Sequence, residues 1–365
     1  MAWRLVGQPG VVSMLGRALR EGRLSHAYLF VGPTSVGKAT AARELAMALN
    51  CRAEDPPCHR CRECHLIEAG RHPDVELVGV GGLCEESDHR DHRSDGSKDI
   101  RICQVRRLER LLSRSPYEGL CRVVIVDPAD ALNLEAANAF LKTLEEPPAS
   151  VVIVLVTSRE EALPATVRSR CRRVPFRLMS VAGVEAALVE SWSLAPERAQ
   201  ALARLSAGRL GWAVAAAADE GLLSARQTVL AEVERLAEAS RSERFAYAGR
   251  LAYLFPRDRE AVFAALRLWE EWWRDLLVLA AGRADLAVNS DRLDKVGKES
   301  RQYQVRAVVR FLQALRRARQ QLEDNVNPLL ALEVLMLELP APALGKEAGS
   351  PAPRPGLPSA GRAGG

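Results

Sequence analysis

Long apolar runs are missing from this chain. No stretch approaches the roughly 20 residues that a membrane-spanning helix requires, so a helical membrane protein is excluded. The first residues, MAWRLVGQPG, hold no apolar core of the kind a secretory signal carries. The expectation is a soluble, cytoplasmic protein. A strong charge of one sign is missing too. Lys and Arg number 51 against 46 Asp and Glu, a net charge of +5. That mild basicity permits a nucleic-acid partner without requiring one. What the chain does have is bulk: 365 residues, 48% of them apolar, are enough for two or three domains. Eight cysteines in such a chain point to thiols or a bound metal rather than disulfides.

The most informative stretch is Leu29 to Thr40, LFVGPTSVGKAT. A short apolar run, Ala27 to Val31, enters a glycine turn, and an alanine-rich helix, Ala41 to Leu49, leaves it. Strand, glycine loop and helix form the context of a phosphate-binding loop. Gly32 and Gly37 let backbone N–H groups turn inward, the helix N-terminus adds its dipole, and Lys38 stands where it can reach outer phosphates.

Two catalytic parts are absent. After Gly-Lys such loops carry Ser or Thr, whose hydroxyl binds magnesium; here the residue is Ala39. Thr40 comes one position later, and one helical step turns a side chain by about 100°, so it is a poor substitute. The second absence is further along. Arg122 to Asp127, RVVIVD, reads as a buried parallel strand ending in a carboxylate. An aspartate there is where such enzymes hold magnesium. The next position, which would activate the attacking water, is Pro128, and Asp130 is out of register.

Cys51, Cys58, Cys61 and Cys64 follow the phosphate-loop helix with spacing C-x6-C-x2-C-x2-C, and Pro56-Pro57 forces a turn between the first two. Four thiols in fourteen residues suit tetrahedral, structural zinc. Val75 to Val78 reads as a second strand. Gly79 to Asp99 reads as a mobile surface loop; its Cys84, His89 and His92 are assigned to solvent rather than to a second metal. Ile100 to Ser115 is helical, with Ile102, Val105, Leu108 and Leu112 as its buried stripe. Its Arg101, Arg106, Arg107, Arg110 and Arg114 are either a solvated face or phosphate contacts. Asn133 to Glu146 is a helix, Val151 to Val156 a strand and Arg172 to Phe176 the last strand. Trp3 to Gly22 supplies an amphipathic helix, with Val11, Val12, Leu15 and Leu19 at helical spacing, and His26 is read as structural.

From Arg177 the pattern is wholly helical. The expected division is an α/β domain over 1–176, a helical lid over 177–221 and a helical collar over 222–339. Trp269, Trp272 and Trp273 should pack inside the collar. A disordered tail follows over 340–365.

Several stretches together resemble bacterial clamp loader subunits of the AAA+ class: GQPGVVSMLGRAL, SHAYLFVGPTSVGK, the four cysteines, SPYEG, NAFLKTLEEPP, LPATVRSRC and NVNPLLALEVLMLEL. The resemblance runs from about Val6 to Leu339 and implies a P-loop α/β domain with a parallel sheet, an all-α lid and an all-α collar. The family holds two such types, the gamma/tau motor that hydrolyses ATP and the delta-prime stator that lacks the full machinery. Ala39, Pro128 and the lack of a long tau-like C-terminal region favour the stator. The motor type remains the alternative, with Thr40 and Asp127 serving magnesium. A DNA-binding zinc protein outside any ring is a third.

The resemblance further implies roles for single residues. Arg170, in Ser-Arg-Cys, would reach the γ-phosphate of a neighbour's ATP. Arg209 is similar to the lid arginine that senses nucleotide. The implied partners are gamma/tau and delta subunits, the sliding clamp and primed DNA. Polymerase activity would belong to the holoenzyme served, DNA polymerase III, and the chain itself would catalyse nothing.

Overall fold

The computed structural model describes residues 3–84, 92, 98–148, 150–324 and 326–342. Residues 85–91 and 93–97 of the expected surface loop, with His89, lie outside the described residues, as does the expected tail beyond residue 342. Two compact units result: residues up to 226 together with 288–291, and residues 227–287 together with those from 292 onward.

The first unit is built on apolar runs without alternation, the mark of strands covered on both faces. In chain order come α1 (Pro9–Arg20), β1 (Ala27–Val31), α2 (Lys38–Asn50), α3 (Arg62–Glu68) and β2 (Val75–Val78). Then follow α4 (Ile102–Leu112), β3 (Arg122–Val126), α5 (Leu134–Glu145), β4 (Val151–Thr157), α6 (Ala165–Arg168) and β5 (Arg172–Pro175). The five strands form one sheet in the order β2-β3-β4-β1-β5, and every neighbouring pair is parallel. The expected parallel α/β fold is therefore present. β1, β3 and β4 are buried along their whole length. Leu15, Tyr28, Phe30 and Leu45 belong to one core layer, and Leu29, Leu108, Phe140 and Ile153 to another.

Element ends differ from the expected ones where a local contact decides. α4 begins at Ile102 because Ile100 is held in a parallel bridge to Leu132. Its buried set also includes Cys103 and Gln104, while Ile102 is only half-buried. α5 begins after Asn133, whose side chain accepts from the Ala136 N–H at 2.8 Å; such an N-cap is worth about 1 kcal/mol.

The first unit continues with α7 (Val181–Trp192), α8 (Pro196–Leu205) and α9 (Leu210–Ala218), around a small core of Val184, Leu188, Leu202 and Ala213. α10 (Glu220–Glu238) follows.

The second unit holds α11 (Arg241–Leu254), α12 (Arg259–Ala280), α13 (Leu293–Ser300), α14 (Val305–Glu323) and α15 (Pro328–Leu337). Trp269, Trp272 and Trp273 are buried in it, as expected. Trp273 meets Phe311 and Tyr303 edge-on, with centroids 4.9 and 5.1 Å apart. Each such pair adds about 0.5–1.5 kcal/mol to the burial itself. No helix among the described residues is long and apolar enough to cross a membrane.

Candidate functional site

The phosphate loop lies between β1 and α2. Gly37 caps α2 at φ 94°, a left-handed conformation natural to glycine. At Gly32 a Cβ would lie 2.5 Å from the carbonyl oxygen of Phe176, so only glycine fits beside the end of β5. Lys38 is buried, and its ammonium donates to the carbonyl oxygens of Gly32 and Pro33. The loop's cation thus folds back onto the loop. Thr40 is exposed on α2 and Ala39 is half-buried.

Asp127 follows β3 directly. Burial holds its carboxyl above the usual range, and the nearby charges of Lys38 and Arg43 offset this only in part. Asp130 is tied up elsewhere: Arg159 donates to it twice, at 2.9 and 2.7 Å, and the Thr157 hydroxyl donates at 2.7 Å. A carboxylate engaged this way is a poor general base. Pro128 offers no acid–base group.

Helix α9 sits directly on the phosphate loop. The Gly211 N–H donates to the Ser35 carbonyl at 2.8 Å. A Cβ at position 211 would stand 2.9 Å from that oxygen. Gln8 adds a second tie. Its amide donates to Arg177 O at 2.7 Å and to Val36 O at 3.4 Å, and its oxygen accepts from the Arg177 N–H at 3.3 Å. Arg209, the residue before α9, is half-buried and donates to Ser206 O at 3.4 Å.

Arg170 follows the short α6. Its side chain, 33% exposed, forms an ion pair with Glu145 at the end of α5 and donates to Thr166 O at 2.9 Å. The arginines of α4 split by environment. Arg106 and Arg110 are exposed, and Arg107 is mostly covered and ion-paired with Glu76 on β2.

The four cysteines converge. Their sulfur atoms all lie within 4.8 Å of one another. Cys51 and Cys61 are 3.9 Å apart, close to the ~3.8 Å edge of a tetrahedron with 2.3 Å zinc–sulfur bonds. The Cys64 N–H points at Cys61 Sγ from 3.5 Å, the kind of outer contact that orients a thiolate. A hydrogen bond from the backbone at Arg60 lowers the Cys58 thiol to about 6. The donor set and spacing therefore fit zinc. His59, buried beside the cluster, contacts Glu44 at 3.3 Å.

Comparison with known proteins finds relatives for this chain. Residues 7–180 match the family model described as DNA polymerase III, delta subunit. The DNA polymerase III delta' subunit of Bacillus subtilis is 29% identical over 341 residues, covering 91% of this chain and 96% of its own. The chain is a relative of the DNA polymerase III delta' subunit. The DNA polymerase III gamma/tau subunit of Mycobacterium tuberculosis is 28% identical over 369 residues, which cover 93% of this chain and 61% of that longer one. A gamma subunit-related protein of Thermotoga maritima, solved at 2.00 Å, overlaps 89% of this chain and 98% of its own at 20% identity, with a TM-score of 0.36.

Two features of this delta' relative escaped the sequence reading. His72-Pro73-Asp74 reads as a turn, yet Asp74 is a hub. Its carboxylate accepts from the N–H groups of Tyr117, Glu118 and Gly119 at 2.7, 2.9 and 2.8 Å, and from Arg122 at 2.9 Å. It holds the SPYEG loop, helped by Asn50, which accepts from Leu120 and Cys121 N–H. The second correction concerns Cys84 and His92. Both are buried rather than solvated, and they meet Cys103 of α4. Cys103 was hidden because its partners lie 19 and 11 residues upstream and its own position reads as one more apolar helix residue.

Proposed function

We propose that this chain is a delta'-type stator of a bacterial clamp loader, a non-hydrolysing subunit that helps place a sliding clamp on primed DNA. The observation that carries the reading is the loss of both catalytic groups beside an otherwise intact phosphate loop. Lys38 is turned onto the carbonyls of Gly32 and Pro33. Ser35 is held by Gly211, and Ala39 and Pro128 replace the groups that magnesium and water need. Gly32, Gly37, Lys38, Thr40, Asp127 and Arg209 are then the remnant of a nucleotide site, and any ATP held there stays intact.

In this reading Arg170 serves a neighbour's ATP. Its guanidinium leaves Glu145 and meets charge developing on the γ-phosphate across the subunit boundary. Such a trans arginine is worth on the order of 10³-fold or more in turnover. Cys51, Cys58, Cys61 and Cys64 hold a structural zinc ion. Residues 177–221 act as the lid, and 222–339 form the collar that joins gamma/tau and delta subunits. The similarity to polymerase III subunits over most of the chain supports this placement.

The test is ATP turnover, first by the chain alone with magnesium and primed DNA, then by the reconstituted complex. The expected result is none from the chain alone, and a large loss in the complex on Arg170→Ala with assembly intact. Turnover by the chain alone that Lys38→Ala abolishes would make it a gamma/tau-type motor. Unchanged turnover in the Arg170→Ala complex would reject the trans role.

A further inference from the structure

We infer that Cys84, His92 and Cys103 form a second metal site, a Cys2His set for a zinc-like divalent cation, separate from the four-cysteine cluster. Cys84 lies after β2, His92 eight residues on in the chain, and Cys103 in the first turn of α4. All three are nearly inaccessible, at 4%, 1% and 5% exposure. Their ligand atoms lie within 4.8 Å of one another. His92 Nε2 stands 3.0 Å from Cys103 Sγ, in hydrogen-bond contact, and a small outward shift reaches the roughly 3.5 Å that tetrahedral zinc imposes between a nitrogen and a sulfur ligand.

The surroundings are built rather than incidental. Gln104, beside Cys103, donates to Gly79 O at 3.1 Å and accepts from the Arg101 N–H at 3.0 Å. At Gly82 a Cβ would fall 2.8 Å from the Gln104 amide nitrogen. The His92 N–H donates to Gly82 O at 3.3 Å. The Gln104 side chain thus ties Gly79 to the start of α4, and a backbone bond ties His92 to Gly82, around the three donors. Two soft sulfurs and an imidazole suit zinc over magnesium or calcium, which prefer oxygen. Zinc takes a fourth ligand, a water in the simplest case. The ion would staple the segment after β2 to α4, the helix that carries Arg106 and Arg110.

The experiment counts metal in the full chain, purified under reducing conditions with zinc present, by elemental analysis and by the thiolate absorption of the cobalt-loaded protein. The expected count is two ions per chain. Cys103→Ala and His92→Ala should each leave one, Cys61→Ser should leave the other, and the two remaining cobalt spectra should differ, one with nitrogen and one all-sulfur. One ion per wild-type chain, lost in Cys61→Ser and kept in Cys103→Ala, would overturn the second site and leave the four-cysteine site standing. One ion lost in Cys103→Ala and kept in Cys61→Ser would support the second site and remove the first. If the alanine variants lose their circular dichroism, the wild-type count and the X-ray absorption of the loaded wild type decide alone. Purely sulfur coordination, or a reducible Cys84–Cys103 disulfide in protein prepared without reductant, overturns the proposal.

Discussion

Asp74 shows how one buried charge can set a local structure. Burial alone would raise its carboxyl, but the N–H groups of Tyr117, Glu118 and Gly119 and the Arg122 guanidinium outweigh that and hold it below the usual range. A carboxyl depressed in the folded state contributes stability that is fully present above its unfolded value. That stability is lost as pH falls through the folded one. Asp74→Ala leaves Arg122, also nearly buried, without its partner. The expected cost at neutral pH is about 3–5 kcal/mol. Urea unfolding at neutral and acid pH checks this: the variant should lose stability at neutral pH and show a flatter acid limb. Equal loss at both pH values would refute the electrostatic account. None of this is visible in His72-Pro73-Asp74 as letters, because the partners lie more than 40 residues away.

The same separation of readable and unreadable holds at the level of elements. β1 and β2 have the ends that their residues predict, since a short strand-prone run bounded by turns leaves little choice. α4 is different. Its arginines at 106, 107 and 110 look equivalent in sequence, and the fold divides them. Arg106 faces solvent and Arg107 is ion-paired with Glu76. If α4 contacts DNA phosphates in the assembled complex, Arg106→Glu should weaken binding and reduce the salt slope by about one. Arg107→Glu should instead set two carboxylates together and lower the melting temperature of the chain. DNA titrations across a salt series, with melting curves for both variants, test the division. An unchanged slope in Arg106→Glu would leave α4 a solvated face.

For the whole molecule, the division into two units predicts that metal removal is felt unevenly. The four-cysteine cluster belongs to the first unit, and the buried Trp269, Trp272 and Trp273 to the second. With Trp3, Trp192 and Trp212 replaced by Phe, tryptophan fluorescence reports on the second unit alone. Chelation should then lower the thermal transition seen by circular dichroism while leaving the fluorescence transition in place. A parallel fall of both would show that the units unfold as one.

Local chemistry was enough to determine several things about this protein. The strand–glycine loop–helix is one, since backbone geometry dictates where glycine is needed. The cysteine cluster is another, since its ligands are close in the chain. The loss of the hydroxyl at Ala39 and of a base at Pro128 follows from side-chain identity alone. Only the tertiary structure decided that Lys38 turns inward, that Gly211 seats α9 on Ser35, that Arg107 pairs with Glu76 while Arg106 faces solvent, and that Cys84, His92 and Cys103 share one buried cluster. Lys38 turns on the local path of its own loop, and the other three depend on partners brought together by the path of the backbone rather than by neighbouring residues.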